Sequence, residues 1–144
     1  MVGTITQKIN HTRIKNFCKK FLDCRISTNV YPILEKFIIK EVNKIISDAI
    51  EFIKTAKRKT LYVEDLKLSK RYYENGKERN FTDKEIREII KENLGGNYKI
   101  QDGVLETIRG YLYEILHEKV MLGKKILDFS SNRMLSSKHM EIYI

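Results

Sequence analysis

Proline and cysteine are scarce in this sequence, and long apolar runs are lacking. One proline among 144 residues, with 42% hydrophobic residues, is typical of a folded chain rather than a disordered one. Cys18 and Cys24 have no metal-ligand spacing, and no Cys/His cluster completes one, so a metal site is not expected. No apolar run approaches the roughly 20 residues of a membrane span, and no secretory signal is visible, so a membrane partner is not expected. Free cysteines without a secretion signal favour a reducing compartment.

Motifs that carry catalytic chemistry are also missing. The sequence contains no P-loop, no glycine-rich dinucleotide fingerprint and no meaningful Ser/His/Asp order. His11, His117 and His139 stand alone, and isolated histidines are usually structural or solvated. The carboxylates lie at helical spacings from lysines, which is typical of surface ion pairs. We therefore expect no enzyme, no cofactor and no small-molecule substrate.

Positive charge is in excess and is unevenly distributed. The chain has a formal net charge of +9 and a pI near 9.5, which predicts an anionic partner. Residues 1–75 contribute +8 and residues 76–144 only +1, so contact with nucleic acid is expected mainly in the first half. The length suits one domain or two very small ones.

An apolar stripe within residues 29–65 predicts one long helix. Its members recur at steps near three and four, the spacing of one helix face, at Val30, Ile33, Leu34, Phe37, Ile38, Val42, Ile45, Ile46, Ala49, Ile50 and Ile53. The stripe spans roughly 28 residues, more than twice an average globular helix. Asn29 is a suitable N-cap, and Pro32 is tolerated in the first turn. A helix of this length needs flanking helices or a crossing partner to bury its stripe.

Shorter elements flank this helix. Residues 1–10 are weakly patterned and predict an extended or frayed arm. His11 to Leu22 predicts a short helix with its apolar residues inward and its basic residues outward. A second short helix is predicted from Glu64 toward Tyr72, and the turn at Asn75-Gly76 ends this half.

Four landmarks in this half resemble the histone fold. TAKRKTLYVEDL at 55–66 is similar to the second loop and last-helix start of archaeal histones and of the fourth core histone. Upstream, RIKN at 13–16 resembles the first short helix, and RIS at 25–27 resembles the arginine-bearing first loop. Arg58 and Asp65 stand seven apart, the spacing at which this family pairs a loop arginine with a last-helix aspartate. The resemblance implies that Arg58 and Asp65 form a structural clamp, an ion pair that joins the loop to the last helix. It also implies that Arg25 is an arginine that enters a groove of DNA.

The chain then repeats itself with a period near 74 residues. Thr82 and Glu85 form a capping box that starts a short amphipathic helix. A second apolar stripe runs from Val104 to Leu127, in register with the first. The repeat predicts a first fold at residues 1–73, a linker at 74–81 and a second fold at 82–144.

The second half resembles histones more weakly. Asn97-Tyr98 and SKHM at 137–140 are similar to the A-type histone of the second class, and Arg133 lies at or beside the place of Arg58. Seven residues beyond Arg133 stands Met140, not an aspartate, so the clamp lacks its acid in this half.

The resemblance implies an all-α chain of two tandem histone folds, each a short helix, loop, long helix, loop and short helix. The two folds would pair head to tail as an intramolecular pseudo-dimer, like the fused doublets of some archaea and large DNA viruses. In such a pair, the first loop of each half lies beside the second loop of the other, and each paired-loop site meets the minor groove of DNA.

The implied function is to bind, bend and compact double-stranded DNA without sequence specificity, in the nucleoid or chromatin of a cell or in a virion. Copies of the chain or other histone doublets are further expected partners. The alternative is a histone-fold protein-interaction module, like transcription-factor or kinetochore subunits, which the near-neutral second half favours. The implied DNA-binding residues are Arg13, Lys15, Lys19, Lys20, Arg25, Lys57, Arg58, Lys59, Thr60, Lys99, Asn132 and Arg133.

Overall fold

Helices dominate the computed structural model, which describes residues 9–76, 81–94, 98–130 and 134–141. Each strand is only two residues long. No helix in the described ranges is both long and apolar enough to cross a membrane. The elements in chain order are α1 (His11–Lys19), β1 (Arg25–Ile26), α2 (Val30–Thr55), β2 (Thr60–Leu61), a 3₁₀ helix (Val63–Leu66), α3 (Arg71–Asn75), α4 (Asp83–Leu94), β3 (Lys99–Ile100), α5 (Val104–Ser130), β4 (Met134–Leu135) and α6 (Ser137–Glu141).

The two long helices carry the two predicted stripes. α2 has 26 residues and α5 has 27. The buried aliphatic residues of α2 include Val30, Leu34, Ile38, Val42, Ile46 and Ile53. Those of α5 include Val104, Ile108, Leu112, Leu116, Val120 and Leu127. Because the buried positions follow one face of each helix, burial of the stripe accounts for the orientation of both helices.

The residues just before α1 are anchored. Ile9 is buried, and its N–H donates to the Glu35 carboxylate at 2.9 Å. Asn10 caps α1, since its side-chain oxygen accepts a hydrogen bond from the Thr12 N–H at 2.7 Å. The predicted frayed arm is therefore wrong for residues 9 and 10, while residues 1–8 lie outside the described residues. At its other end, α1 stops at Lys19 rather than continuing to residue 22.

The predicted last helix of the first half is split in two. The 3₁₀ helix ends at Leu66, because Lys67 follows it with a left-handed φ of 54°, and a left-handed residue ends a helix. α3 then begins at Arg71 and continues through Asn75, so it includes residues that the sequence assigned to the linker.

The predicted capping box before α4 is confirmed. The Glu85 N–H donates to Thr82 Oγ1 at 3.2 Å, and the Thr82 N–H donates to Glu85 Oε1 at 3.0 Å. Two backbone donors at the start of the helix are thereby satisfied by side chains.

The chain divides into two compact units, and each contains residues from both halves of the sequence. Unit 1 comprises the chain up to Phe37 together with the chain from Glu118 onward, and unit 2 comprises Ile38–His117. In unit 1, β1 pairs in parallel with β4. In unit 2, β2 pairs in parallel with β3. Adding the 74-residue period to the bounds of β1 and β2 gives those of β3 and β4, so the repeat extends to the strands.

Candidate nucleic-acid interface

The β1–β4 pair in unit 1 places the first loop beside the strand that follows α5. Arg25 lies opposite Met134 and Ile26 opposite Leu135, and the Ser27 N–H donates to the Leu135 carbonyl at 2.8 Å. Because side chains alternate along a strand, Arg25 and Met134 are exposed whereas Leu135 is buried. Two further predicted DNA-binding residues, at positions 132 and 133, lie outside the described residues.

The β2–β3 pair in unit 2 brings together several of the predicted DNA-binding residues. Thr60 lies opposite Lys99, and the Lys99 N–H donates to the Lys59 carbonyl at 2.8 Å. The side chains of Lys57, Lys59 and Lys99 are exposed, and that of Thr60 is half-buried. This loop pair therefore presents ammonium groups to solvent, where they can attract phosphate.

Arg58 lies among these lysines in sequence but is engaged within the protein. Its Nη2 lies 2.6 Å from Asp65 Oδ1 and its Nη1 lies 3.2 Å from Asp65 Oδ2, so the two side chains form a bidentate ion pair. Its guanidinium carbon lies 5.6 Å from the ring centroid of Phe52 and 5.0 Å from that of Tyr62, within the range of cation–π contacts. We therefore expect Arg58 to position the loop, while neighbouring lysines contact phosphate.

The pKa of Asp65 reflects two opposing effects. Burial raises the pKa of this carboxyl. The hydrogen bonds from Arg58 and from the Tyr62 N–H, together with the positive charge of Arg58, lower the pKa, and the net value lies below the ordinary one. The folded protein therefore favours the charged form of Asp65 more than the unfolded chain does.

Replacing Asp65 by Asn should destabilise the protein at neutral pH but not at low pH. A carboxyl whose pKa is lowered on folding contributes stability that is fully present above its unfolded pKa, about 3.9, and is lost as the pH falls through its folded pKa. We expect Asp65→Asn to lower Tm by about 3–6 °C at pH 7. Below about pH 3 the difference from wild type should shrink toward zero.

Thermal melts across this pH range measure the effect. Glu64→Gln, which changes an exposed neighbouring carboxyl, is the matched control and should leave Tm within about 1 °C at pH 7. Equal Tm values for wild type and Asp65→Asn at pH 7 would show that the ion pair does not stabilise the fold.

In the second half, His139 rather than Met140 occupies the place of Asp65. The Ser136 N–H donates to His139 Nδ1 at 2.9 Å, as the Tyr62 N–H donates to the Asp65 carboxylate at 2.8 Å. The two donors, like the two acceptors, are separated by the 74-residue period. Assigning this place to Met140 was therefore wrong, because the spacing was counted from residue 133 rather than 132. Met140 is instead buried in the core of unit 1.

α1 has one buried face and one basic face. Its buried residues are Ile14, Phe17 and Cys18. The exposed predicted DNA-binding residues here are Lys15 and Lys19 on α1 and Lys20, its C-cap. Arg13 is half-buried. Burial raises the pKa of the Cys18 thiol to about 12, so that this thiol stays protonated at neutral pH and belongs to the core.

Net positive charge is concentrated in unit 1. This unit contains 12 basic and 5 acidic residues, a net charge of +7, whereas unit 2 contains 16 and 14, a net charge of +2. The asymmetry between sequence halves therefore becomes an asymmetry between folded units. Since long-range attraction follows net charge, unit 1 has the stronger attraction for an anion.

Sequence reasoning missed a buried arginine in α5. Arg109 donates from Nε to the Phe81 carbonyl at 2.8 Å and from Nη1 to the Gly76 carbonyl at 2.9 Å, and it also pairs with the Asp83 carboxylate. It thus binds two backbone carbonyls of the segment that joins α3 to α4. Its signal in the sequence was a charged residue directly after Ile108, inside the second stripe.

A close helix contact lies beside Arg109. A Cβ atom on Gly76 would lie 1.6 Å from the Glu106 carbonyl oxygen, and one on Gly110 would lie 1.8 Å from the Tyr72 carbonyl oxygen. Only glycine fits at these two positions, because the backbones of α3 and α5 approach too closely for any side chain.

Unit 2 also contains a cleft of about 590 Å³ next to β3. Charged side chains of both signs line it. Across the described ranges, no group of three or more His, Cys, Asp or Glu side chains is arranged to hold a metal ion. The lining residues include Val63, Glu64, Lys70, Arg71, Tyr73, Asp102 and Thr107.

Two solved structures resemble this chain over nearly their whole length. The histone from Methanopyrus kandleri matches with a TM-score of 0.69 and 14% sequence identity, covering 92% of this chain and 91% of that one. A protein from Thermus thermophilus matches with a TM-score of 0.69 and 11% identity, covering 94% and 93%. The chain matches no protein-family model and no curated protein. The predicted all-α histone fold is confirmed by the first of these matches.

Proposed function

We propose that this protein binds, bends and compacts duplex DNA without sequence specificity. The observation that carries the proposal is the parallel pairing of loops in both units, which gives each pair an exposed cation, Arg25 in one and Lys99 in the other. The net charge of +9 and the exposed lysines of α1 also support it. Because phosphate contacts carry no sequence information, such a surface suits any duplex.

The proposed architecture is a fused doublet. Histone folds at residues 1–73 and 82–144, joined by a linker at 74–81, pair with each other as an intramolecular pseudo-dimer. The 74-residue period of the strands supports this arrangement. The match of 92% of this chain to a single histone chain supports it too, since the likeness extends over both halves. The first half is of the type of archaeal histones and the fourth core histone, and the second half is of the type of the A-type histone of the second class.

In the proposed mechanism, charge supplies the affinity and DNA shape supplies the geometry. Arg25 and Arg133 enter the minor groove where it faces the protein. The cost of bending the duplex, rather than base contacts, sets any preference for particular sequences. Asp65 holds Arg58 in place, so that Arg58 contributes mainly by shaping its loop. The phosphate-contacting residues are Arg13, Lys15, Lys19, Lys20, Lys57, Lys59, Thr60, Lys99 and Asn132.

The proposal implies a setting and further partners. A protein that compacts DNA acts in a nucleoid, in chromatin or in a virion. Copies of the chain, or other histone doublets, would bind beside it on the same duplex. We propose no enzymatic activity, no cofactor and no small-molecule substrate.

Nuclease protection tests the proposal. At rising ratios of protein to DNA, we expect protected fragments of discrete length on several unrelated sequences, because the proposed contacts are to phosphate and sugar. A triple variant, Lys19→Ala, Lys20→Ala and Arg25→Ala, is the binding-deficient control and should need at least about tenfold more protein for equal protection. Lack of protection on every duplex would contradict the proposal, and so would protection confined to one sequence.

The second candidate function is a protein-interaction module. The charge of +2 on unit 2 and its cleft of about 590 Å³ favour this alternative. Such a module would bind duplex DNA weakly and with little dependence on salt. The nuclease experiment therefore separates the two functions.

A further inference from the structure

The two paired-loop sites present different side chains on their outward faces. The β2–β3 pair presents Thr60 and Lys99, whereas the β1–β4 pair presents Arg25 and Met134. In each of these two cross-strand pairs one side chain is a cation, and the other is a hydroxyl in unit 2 and a thioether in unit 1. Thr60 and Met134 are equivalent in the 74-residue repeat, so the two sites differ at corresponding positions.

We infer that Met134 is an apolar wedge that enters a base-pair step of duplex DNA from the minor groove, beside Arg25. The inference rests on the proposed function and adds an asymmetry to it. The β1–β4 site unstacks and kinks the duplex locally, whereas the β2–β3 site holds the sugar–phosphate backbone without unstacking.

The backbone around Met134 presents its side chain firmly. Met134 is 41% exposed, although the next residue, Leu135, is buried. The Leu135 carbonyl accepts the hydrogen bond from Ser27, so the strand is held at the residue after the wedge. A single exposed apolar residue is common on protein surfaces. Met134 differs because the strand register fixes it opposite a cation, Arg25.

Charge favours an anionic polymer as the occupant of this face, and the proposed function identifies that polymer as duplex DNA. Unit 1 carries +7 against +2 for unit 2, and the exposed lysines of α1 belong to unit 1. An anionic polymer is therefore drawn to the unit that carries the exposed thioether. A partner protein that covered Met134 would also have to cover Arg25, and removing a cation from water is unfavourable unless an acidic group pairs with it.

The chemistry of methionine suits this role. Proteins that bind the minor groove commonly insert an apolar side chain between base steps, and they place basic groups beside it. Methionine is unbranched and polarisable, so it adapts to an irregular gap such as a partly opened step. Threonine at the equivalent position in unit 2 is shorter and polar, and it keeps a hydroxyl for a phosphate oxygen.

A fluorescence measurement on the full chain tests the inference. The probes are duplexes of about 30 base pairs with 2-aminopurine at TA steps, because pyrimidine–purine steps unstack most easily. 2-Aminopurine brightens when it loses its stacked neighbours. Each protein is added until anisotropy of an end label shows saturation. The variants are Met134→Thr, which copies the other site, Met134→Leu, which keeps an apolar side chain, and Thr60→Met, which adds a second wedge.

We expect wild type and Met134→Leu to raise the fluorescence at least about twofold at saturation, and Met134→Thr to raise it less than about 1.3-fold. Thr60→Met should raise it above wild type. Met134 is exposed, so Met134→Thr should keep the wild-type Tm. If Met134→Leu keeps the fluorescence rise that Met134→Thr loses, the loss arises from the polarity of the side chain and not from misfolding.

The outcomes separate the inference from the proposed function. An equal rise for wild type and Met134→Thr would overturn the wedge, and so would saturated binding of wild type with no rise. In both cases the proposed function would survive. If wild type does not bind the duplex at all, the proposed function fails and the wedge with it. Self-association of wild type that Met134→Thr abolishes, without any fluorescence rise, would assign Met134 to a protein interface instead.

Discussion

Duplex binding should weaken by about three to four orders of magnitude when the salt concentration rises from about 50 to about 200 mM. Each phosphate that a basic side chain neutralises releases condensed counterions, and this release is less favourable when salt is abundant. If the protein neutralises about six to eight phosphates, log K against log salt should have a slope near −5 to −7, at about −0.9 per phosphate.

Paired lysine variants identify which residues produce this slope. Replacing Lys19 and Lys20 together by Ala should flatten the slope by nearly 2 and weaken binding to all sequences alike, at about 0.9 per phosphate contact. Lys40→Ala with Lys44→Ala is the matched control. These two lysines are also exposed and give the same change in net charge, but they lie on α2 in unit 2, outside the predicted interface. We expect them to change the slope by less than about 0.5.

Arg25→Ala should behave differently from the lysine variants. A groove arginine contributes contacts that depend on groove shape as well as charge. Its loss should therefore reduce affinity more than the change in slope predicts. A slope near −1 for wild type would contradict DNA packaging and favour the interaction module.

Regular features of the fold could be predicted from local signals. The stripes between Val30 and Ile53 and between Val104 and Leu127 predicted both long helices, because burial on one face imposes a helical period on the sequence. The capping box at Thr82 could also be predicted from the sequence, since its two hydrogen bonds join residues only three apart. Such signals are strong because the residues that form each pattern lie close together in the sequence.

Features that depend on contacts between residues far apart in the sequence could not be predicted in this way. Ile9 is buried, and its N–H donates to Glu35, 26 residues away. The weakly patterned sequence around it gave no sign of this and indicated an arm. Arg109 binds carbonyls 28 and 33 residues away, and these donors and acceptors come together only when the chain folds. The break at Lys67 depends on a single left-handed φ, for which lysine gives no signal.

The candidate site shows the same division. The pairing of Arg58 with Asp65 was predicted from the family's seven-residue spacing, and the described geometry contains that ion pair. The outward orientation of Met134 was not predicted, because it depends on which residue of β4 faces the core, and that follows from pairing with β1. His139 was not recognised as the counterpart of Asp65, and the neighbouring Met140 was assigned instead. The reason is that the loop arginine of the second half, Arg133, lies one residue beyond a full period from Arg58.

The central proposal is that the two halves of the sequence can fold only together. Each compact unit contains segments from both sides of residues 77–80, and both strand pairs join the first half of the sequence to the second. Arg109 on α5 also binds the Gly76 carbonyl of the first half. A half alone would therefore expose its apolar stripe and leave its strands unpaired, which is unfavourable for folding.

Specific cleavage of the folded protein within residues 77–80, followed by size-exclusion chromatography and circular dichroism, measures this most directly. We expect the two pieces to elute together with the helical content of the intact chain. After separation in denaturant, neither piece should fold as a monomer, and mixing them should restore both the helical signal and duplex binding. A first piece that melts cooperatively as a soluble monomer would contradict the pairing of the two halves.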